Sequence, residues 1–523
     1  MSAASRETEF IYDFSGGLNL TQQTQQVDKN SSPDCLNVDF GAKGGFTLRG
    51  GFQVQATNAQ LATANFIGPA NQQFDRVLIQ SSNGGLWSWD GGSLTNTTHT
   101  VTNVLTERVR GAWFNTHTYF ANCFTGATLA IRSWDGTTFR APVPNVFNDN
   151  YLAPAAQGSG NIPLARQICS HMGYLWVADT TESAVRRANR VRFSHVQAPE
   201  NFATLDFIDV GEPGAYDPIT ALVPFGDKLM IFKRSSVWVL YGNDRDNFQL
   251  ERLTLASGAA YSTSIAANSG VLYWWSTDGQ LMAFNGRGVA VLSEPLRWWS
   301  DLGRIAQGEP SVLCWSDGRM YLSLTAGADE LVDYWFFVYD ATTRTFTRYG
   351  RQPVDMAHWS RNGRDGDPLF LETGNNDLFR FDQTYLTDIL TVGGSARIDG
   401  YYRTAWLDAG ETATKKRWKR PRVTAAAAGN CTIRVKVFTD FDEYTPVKQQ
   451  EFPIAFPASI SLWGTMVWGD LWAAGNVDEI YAFERLPSSG SARSIQYEFS
   501  SFDNVSRWWL DSLAIPFRRK AVR

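Results

Sequence analysis

The sequence predicts an all-β protein: a β-propeller of about seven blades, within a range of six to eight, with an N-terminal extended arm and a C-terminal β-sandwich. Three observations lead there: an unusual aromatic content, an ample supply of tight-turn residues, and a repeated unit.

Twenty Trp, 18 Tyr and 33 Phe make 14% of the 523 residues aromatic. Aromatic side chains suit the pleated, half-buried surface of a sheet. Forty-four Gly, nine of them directly after Asp or Asn, supply the positive-φ positions that tight hairpins need.

The repeat is the decisive feature. Leu86-Trp87-Ser88-Trp89-Asp90-Gly91 is echoed 45 residues later by Ile131-Arg132-Ser133-Trp134-Asp135-Gly136, each an alternating run that ends in an Asp-Gly turn. Weaker echoes centre on Phe193, Leu240, Phe284, Tyr339 and Phe381. Together with Trp89 and Trp134 these anchors average about 49 residues apart, which suits a four-stranded propeller blade. An apolar strand precedes the turn in several units, as in Thr118–Asn122, Gly173–Ala178, Lys228–Phe232 and Gly270–Trp275. A single such unit cannot bury both faces, so several must pack side by side.

Three regions follow. Residues 1–65 are polar and punctuated by Gly, and read as an arm with a candidate closing strand. Residues 66–392 hold the repeats. Residues 393–523 contain period-2 strands such as Cys431–Phe438 and Ser494–Phe499, the pattern of a sandwich.

Charge and cysteine usage narrow the function classes. With 47 Lys and Arg against 52 Asp and Glu, the net charge is −5, which argues against bulk adhesion to nucleic acid or anionic membranes. Cys35, Cys123, Cys169, Cys314 and Cys431 are far apart and form no CxxC pair, so reduced thiols are expected rather than a disulfide framework or zinc ribbon. Neither a signal-peptide core nor an apolar run of about 18 residues occurs, so no membrane anchor is expected.

Phe14-Ser15-Gly16-Gly17-Leu18-Asn19 is followed by Ser32-Pro33-Asp34-Cys35-Leu36-Asn37-Val38-Asp39 and Gly45-Phe46-Thr47-Leu48-Arg49-Gly50-Gly51-Phe52. This order resembles the opening of bacteriophage tail β-propeller proteins, the tail nozzle or tail tubular proteins and the propellers known as minor tail proteins. Gly50 stands where that family usually has proline. The resemblance continues through Arg192-Phe193-Ser194, Pro199–Phe202, Pro218–Phe225 and Val237–Leu240, and into Lys416–Arg420 and Ala492–Gln496. It implies a structural virion protein of the tail, made in the host cytoplasm. Such a protein forms a ring, six-fold in the nozzle case, that lines or gates the DNA exit channel and docks neighbouring tail or adaptor proteins. Genome DNA would pass without sequence-specific contact. A receptor- or carbohydrate-binding propeller at the tail tip is the alternative, and a polysaccharide-degrading enzyme a third.

Signs of catalysis fail one by one. His99, His117, His171, His195 and His358 form no HxH or HExxH pair, and no GxSxG elbow or Walker A loop occurs. The Ser-Trp-Asp-Gly turns and Ser276-Thr277-Asp278-Gly279 have Asp and Gly adjacent, unlike sialidase Asp boxes, and read as hairpin turns. Asp244-Arg245-Asp246 and Asp365-Gly366-Asp367 lack a full calcium ligand run. No catalytic residue, cofactor or metal is expected.

Interaction candidates remain. Lys415-Lys416-Arg417-Trp418-Lys419-Arg420-Pro421-Arg422 is the strongest charge run, with Arg518-Arg519-Lys520 second. Within it Arg417, Trp418 and Lys419 are candidate interface residues, set against the reading of an alternating strand with one solvated face. Trp298-Trp299 and Trp508-Trp509 cannot both face one side of a strand, so each pair offers one indole to a partner or to a second core.

Overall fold

The computed structural model describes residues 7–520 except 22–23, 42, 70–75, 82–84, 101–109, 126–127, 137–138, 141–162, 183–184, 204, 213–216, 254–256, 269, 298–310, 326–334, 361–365, 373–374, 392–393, 428–429, 455–481, 486–489 and 503–506. The protein is all-β: among the described residues its regular elements are strands and short 3₁₀ turns.

Six four-stranded antiparallel meanders follow one another from Ala64 to Tyr349. A seventh sheet has three consecutive strands, Pro353–Trp359, Asp367–Glu372 and Asp377–Asp382. Its fourth strand, Gly51–Thr57, comes from the other end of the chain, paired from Asp377↔Thr57 to Asp382↔Gly51.

Every repeat anchor read from the sequence falls in the third strand of a different sheet. Trp89 ends Gly85–Trp89, Trp134 ends Thr128–Trp134 and Phe193 ends Val185–Phe193. Leu240, Phe284, Tyr339 and Phe381 lie in Val237–Tyr241, Leu281–Phe284, Phe336–Asp340 and Asp377–Asp382. All seven are buried. The apolar runs that precede them, such as Tyr174–Glu182 and Val271–Trp275, are second strands.

The repeated Asp or Asn after the third strand has a common cause. Asp90 Oδ1 accepts from the N–H groups of Gly92 and Ser93 at 3.0 and 2.8 Å, and Asn285 Oδ1 from Arg287 and Gly288 at 3.0 and 3.1 Å. Asp340 and Asp382 make the same kind of turn. These side chains fold back on their own backbone, the turn chemistry that Asp and Asn supply.

Most first strands lie beside the next in sequence order. Arg110–Phe114 runs beside Leu164–His171, which runs beside Ile219–Phe225; Ser262–Ser264 bridges Ile219–Phe225 to Val312–Ser316. Val312–Ser316 also lies beside Ile265–Asn268 and Pro353–Trp359, and Pro353–Trp359 lies beside Ala64–Pro69 of the first sheet. Hydrophobic clusters fill the gaps between successive sheets. Phe52, Tyr321, Phe336, Phe370 and Phe381 share one between the sixth and seventh, and Trp89 meets Trp359 at 4.9 Å between the seventh and first. Flat rings are what such gaps between sheets demand, which accounts for the aromatic content.

Two further sheets share one large cluster. The five-stranded sheet orders Asp34–Leu36, Tyr401–Arg403, Ile495–Ser501, Cys431–Thr439 and Lys448–Ile454. In the eight-stranded sheet the long strand Trp508–Arg519 is central, pairing with Glu7–Ile11 and Phe46–Leu48 on one side and with Lys416–Trp418 and Arg422–Ala427 on the other. The segment expected as an arm is therefore distributed over these two sheets, the seventh sheet and a two-stranded sheet of Gly17–Leu18 with Ser31–Ser32, and its end enters Ala64–Pro69 of the first sheet. Its strands Gly17–Leu18, Asp34–Leu36 and Val38–Phe40 pack on Thr345–Tyr349, the fourth strand of the sixth sheet.

Candidate functional site

The residues that carry the resemblance converge on one buried polar joint. Arg49, 1% exposed, donates from both terminal nitrogens to the two oxygens of Asp388 at 2.8 Å. Its Nε donates to Asn37 Oδ1 at 2.8 Å, and its guanidinium lies 4.5 Å from the Phe52 ring centre. Asn37, at φ +55, donates through Nδ2 to the Asp399 carbonyl at 2.6 Å and accepts the Gly350 N–H at 2.8 Å. One asparagine thus ties the N-terminal segment to the sixth sheet and to the start of the C-terminal region. Burial alone would raise the Asp388 carboxyl; the charge and hydrogen bonds of Arg49 and the Phe52 N–H hold it below the usual carboxylate range.

Two more ion pairs extend the joint. Asp39 accepts from Arg319 at 3.0 Å and from the Tyr349 hydroxyl at 2.6 Å, and its carboxyl too is held low against the opposing effect of burial. Asp34 accepts from Arg348 at 2.9 Å and from the Tyr401 hydroxyl at 3.0 Å. Two glycines of the same motifs are sterically required. A Cβ on Gly17, at φ +67, would lie 2.7 Å from Thr345 Cβ, and one on Gly50 would lie 2.4 Å from the Asp382 carbonyl oxygen.

The basic run divides by strand parity. Trp418, 1% exposed, is a core residue: it packs on Phe517 at 5.3 Å and donates from Nε1 to the Ala492 carbonyl at 3.2 Å. Trp508 is buried against Phe46, its Nε1 donating to Ser501 Oγ at 3.1 Å. Neither indole is open to a partner, which corrects the expectation for both: each points inward from its strand, where the core has room for an indole and a hydrogen-bond acceptor. Arg417 is exposed, while Lys419 and Trp509 are half-buried. Lys416 is buried, its Nζ donating to the Arg493 and Glu411 carbonyls, and burial lowers its pKa. Trp298 and Trp299 lie outside the described residues.

Residues weighed for catalysis or metal binding are engaged otherwise. Ser316 Oγ lies 3.1 Å from His358 Nδ1, but its hydroxyl donates to the Gly366 carbonyl. Asp244 caps a 3₁₀ turn together with Asn247, and Arg245 pairs with Asp206 at 3.0 Å. Asp365 lies outside the described residues. Asp367 is raised to about 6, chiefly by burial, against the opposing charge of Arg380. Among the described residues no group of three or more His, Cys, Asp or Glu side chains is placed to hold a metal ion. No helix among them is long and apolar enough to cross a membrane.

One ionic network escaped the reading of the sequence. In the third sheet Arg186 grips Asp179 at 2.5 and 2.7 Å, and Arg190 and Arg192 share Glu182. Arg190 also pairs with Asp209 and sits 3.8 Å from the Phe207 ring centre. Burial raises Glu182, but Arg192, Thr180 and Arg190 bring it to about 2. Arginines two apart in Val185–Phe193 were the available signal, since such residues share a strand face.

No protein-family model matches the sequence, and no curated protein matches it. Two solved structures are similar in part. One, described as "Crystal Structure of Mitotic Checkpoint Complex", is 11% identical over 65% of this chain and 95% of that chain, with a TM-score of 0.37. The other, described as "Crystal structure of the computationally designed Ika8 protein: crystal packing No.1 in P63", is 9% identical over 63% and 99% of the two chains, with a TM-score of 0.35.

Proposed function

We propose that the seven sheets are the blades of a β-propeller, that the five- and eight-stranded sheets form a β-sandwich, and that the chain is a structural subunit of a bacteriophage tail. In this reading it assembles into a ring-like nozzle or hub that lines or gates the DNA exit channel and docks adjacent tail proteins. It acts by assembly and carries out no catalysis.

One observation carries the reading. The short motifs that resemble tail propellers contain the residues that lock this architecture together: Gly17 against Thr345, Asn37 across three segments, and Arg49 on Asp388. A likeness confined to loose turn chemistry would not be expected to fall on one buried joint. The run of neighbouring first strands, with Ser262–Ser264 bridging the fourth and sixth sheets, supports the propeller part of the reading.

Immunogold labelling of virions whose genome encodes this chain tests the proposal. Label on the tails is expected; virions free of label, or labelled on the head alone, overturn it.

A further inference from the structure

The outer face of the eight-stranded sheet presents a pattern that its core does not use. Arg417 and Arg518 are direct cross-strand partners, and both are exposed. Direct partners point to the same face, and like charges placed opposite one another destabilise a sheet. Among the described residues neither arginine has a carboxylate partner. Their neighbour Arg519, on the other parity, is held by Glu7 and Glu411, each at 3.2 Å.

Four residues back along the same strand, Ala514 faces the same way. Its register partners are Phe10 on one side and Arg422 on the other. Phe10 is 50% and Tyr12 63% exposed, and their rings stack at 5.2 Å with an 11° tilt. Pro516 lies between the two rows, opposite Thr8. The face is thus a low floor of half-buried Ala514 and buried Pro516, with a stacked aromatic pair on one flank and arginines on the others. Aromatic and arginine side chains are the residues that anchor protein interfaces. This cationic face belongs to a chain of net charge −5.

A complementary shape exists on the same chain. The hairpin between Cys431–Thr439 and Lys448–Ile454 carries Asp442, Glu443 and Tyr444 at its tip. Tyr444 is 92% exposed, so its own chain does not receive it. The tip is already ordered: Asp442 Oδ1 accepts the Tyr444 and Thr445 N–H groups at 3.1 Å, Asp440 Oδ1 accepts the Arg493 N–H at 2.6 Å, and half-buried Glu443 accepts the Thr24 hydroxyl of its own chain. Such preorganisation reduces the entropy lost on docking.

We infer that the acidic Tyr444 hairpin of one copy seats on the Arg417–Arg518–Phe10 face of the next. The contact is heterologous, the kind that closes into a ring when its rotation permits. It rests on the self-assembling role proposed above and gives that role a surface.

Sedimentation velocity of the full chain tests it, with R417E/R518E, E443K and Y444A as variants that leave the Asp442 turn intact. Each variant is expected to weaken self-association by about tenfold or more. Mixing R417E/R518E with E443K is expected to restore it in part, because the reversed face then meets a tip relieved of its glutamate. Variants that associate like the wild type overturn this contact while leaving the assembly reading in place. A wild-type chain that stays monomeric overturns both. Association unchanged in R417E/R518E, with binding of single-stranded DNA lost, assigns the face to nucleic acid and overturns the proposal.

Discussion

Arg49 and Asp388 stand 339 residues apart in the chain and meet as a two-pronged ion pair, both side chains buried, behind the strand that completes the seventh sheet. Removing one member of such a pair strands a charge in the interior, at a cost of about 3–5 kcal/mol, whereas replacing both with apolar groups costs less. Arg49→Met is therefore expected to destabilise the fold by about that amount, and R49M/D388L to recover part of it. Urea unfolding followed by tryptophan fluorescence measures both. The pH dependence has a definite sign: the folded Asp388 and Asp39 carboxyls are depressed, so their stabilisation is present above the unfolded carboxylate range and is lost as pH falls through the folded values.

Asp367 behaves in the opposite sense. Burial raises it to about 6, so the folded chain prefers its protonated form. The penalty for ionising it is absent below the unfolded value near 3.8, grows as pH rises toward 6, and is constant above. Asp367→Asn is expected to match the wild type in melting temperature near pH 3.5 and to exceed it at pH 7. Equal differences at both pH values would show that the carboxyl titrates normally.

Four thiols should be inert in the folded protein. Cys35, Cys169, Cys314 and Cys431 are buried and form no disulfide, and burial pushes Cys35 and Cys314 up to about 12 and raises Cys169 as well. Native protein treated with a thiol-reactive chromogen at pH 8 is expected to release at most one equivalent, and five in guanidinium. Rapid native reaction of two or more would contradict the packing.

Closure of the seventh sheet depends on the N-terminal segment. Deleting residues 1–57 removes Gly51–Thr57 and bares the edge of Asp377–Asp382, along with one side of Trp508–Arg519. Unpaired edges template association with other chains. The expected outcome is aggregation in light scattering during refolding, with the wild type clear under the same conditions. A truncated chain that refolds to a soluble, cooperatively melting product would show that the closing strand is dispensable.

Local chemistry explains which parts of this molecule the sequence made legible. The anchors Trp89 to Phe381 were readable because one aromatic or aliphatic residue lies at or one short of the end of each third strand and an Asp or Asn often turns the chain after it. Both signals lie within a few residues of each other. The outward parity of Arg417 was readable for the same reason. By contrast, the pairing of Arg49 with Asp388 and of Asp39 with Arg319 joins residues hundreds of positions apart, and no local pattern marks the acidic partner. Trp418 and Trp508 misled because a basic or doubled-aromatic run draws attention to a surface, while strand alternation sends half of it inward. The cationic face emerged only from register, since Phe10, Ala514 and Arg422 come from three distant strands.

A cryo-electron microscopy map of the tail from virions encoding this chain tests the central claim most directly. The account predicts a ring of identical subunits around the axial channel, each with seven radial sheets and a two-sheet domain beside the sixth. Density for this chain as an isolated off-axis copy, or its absence from the tail, would contradict it.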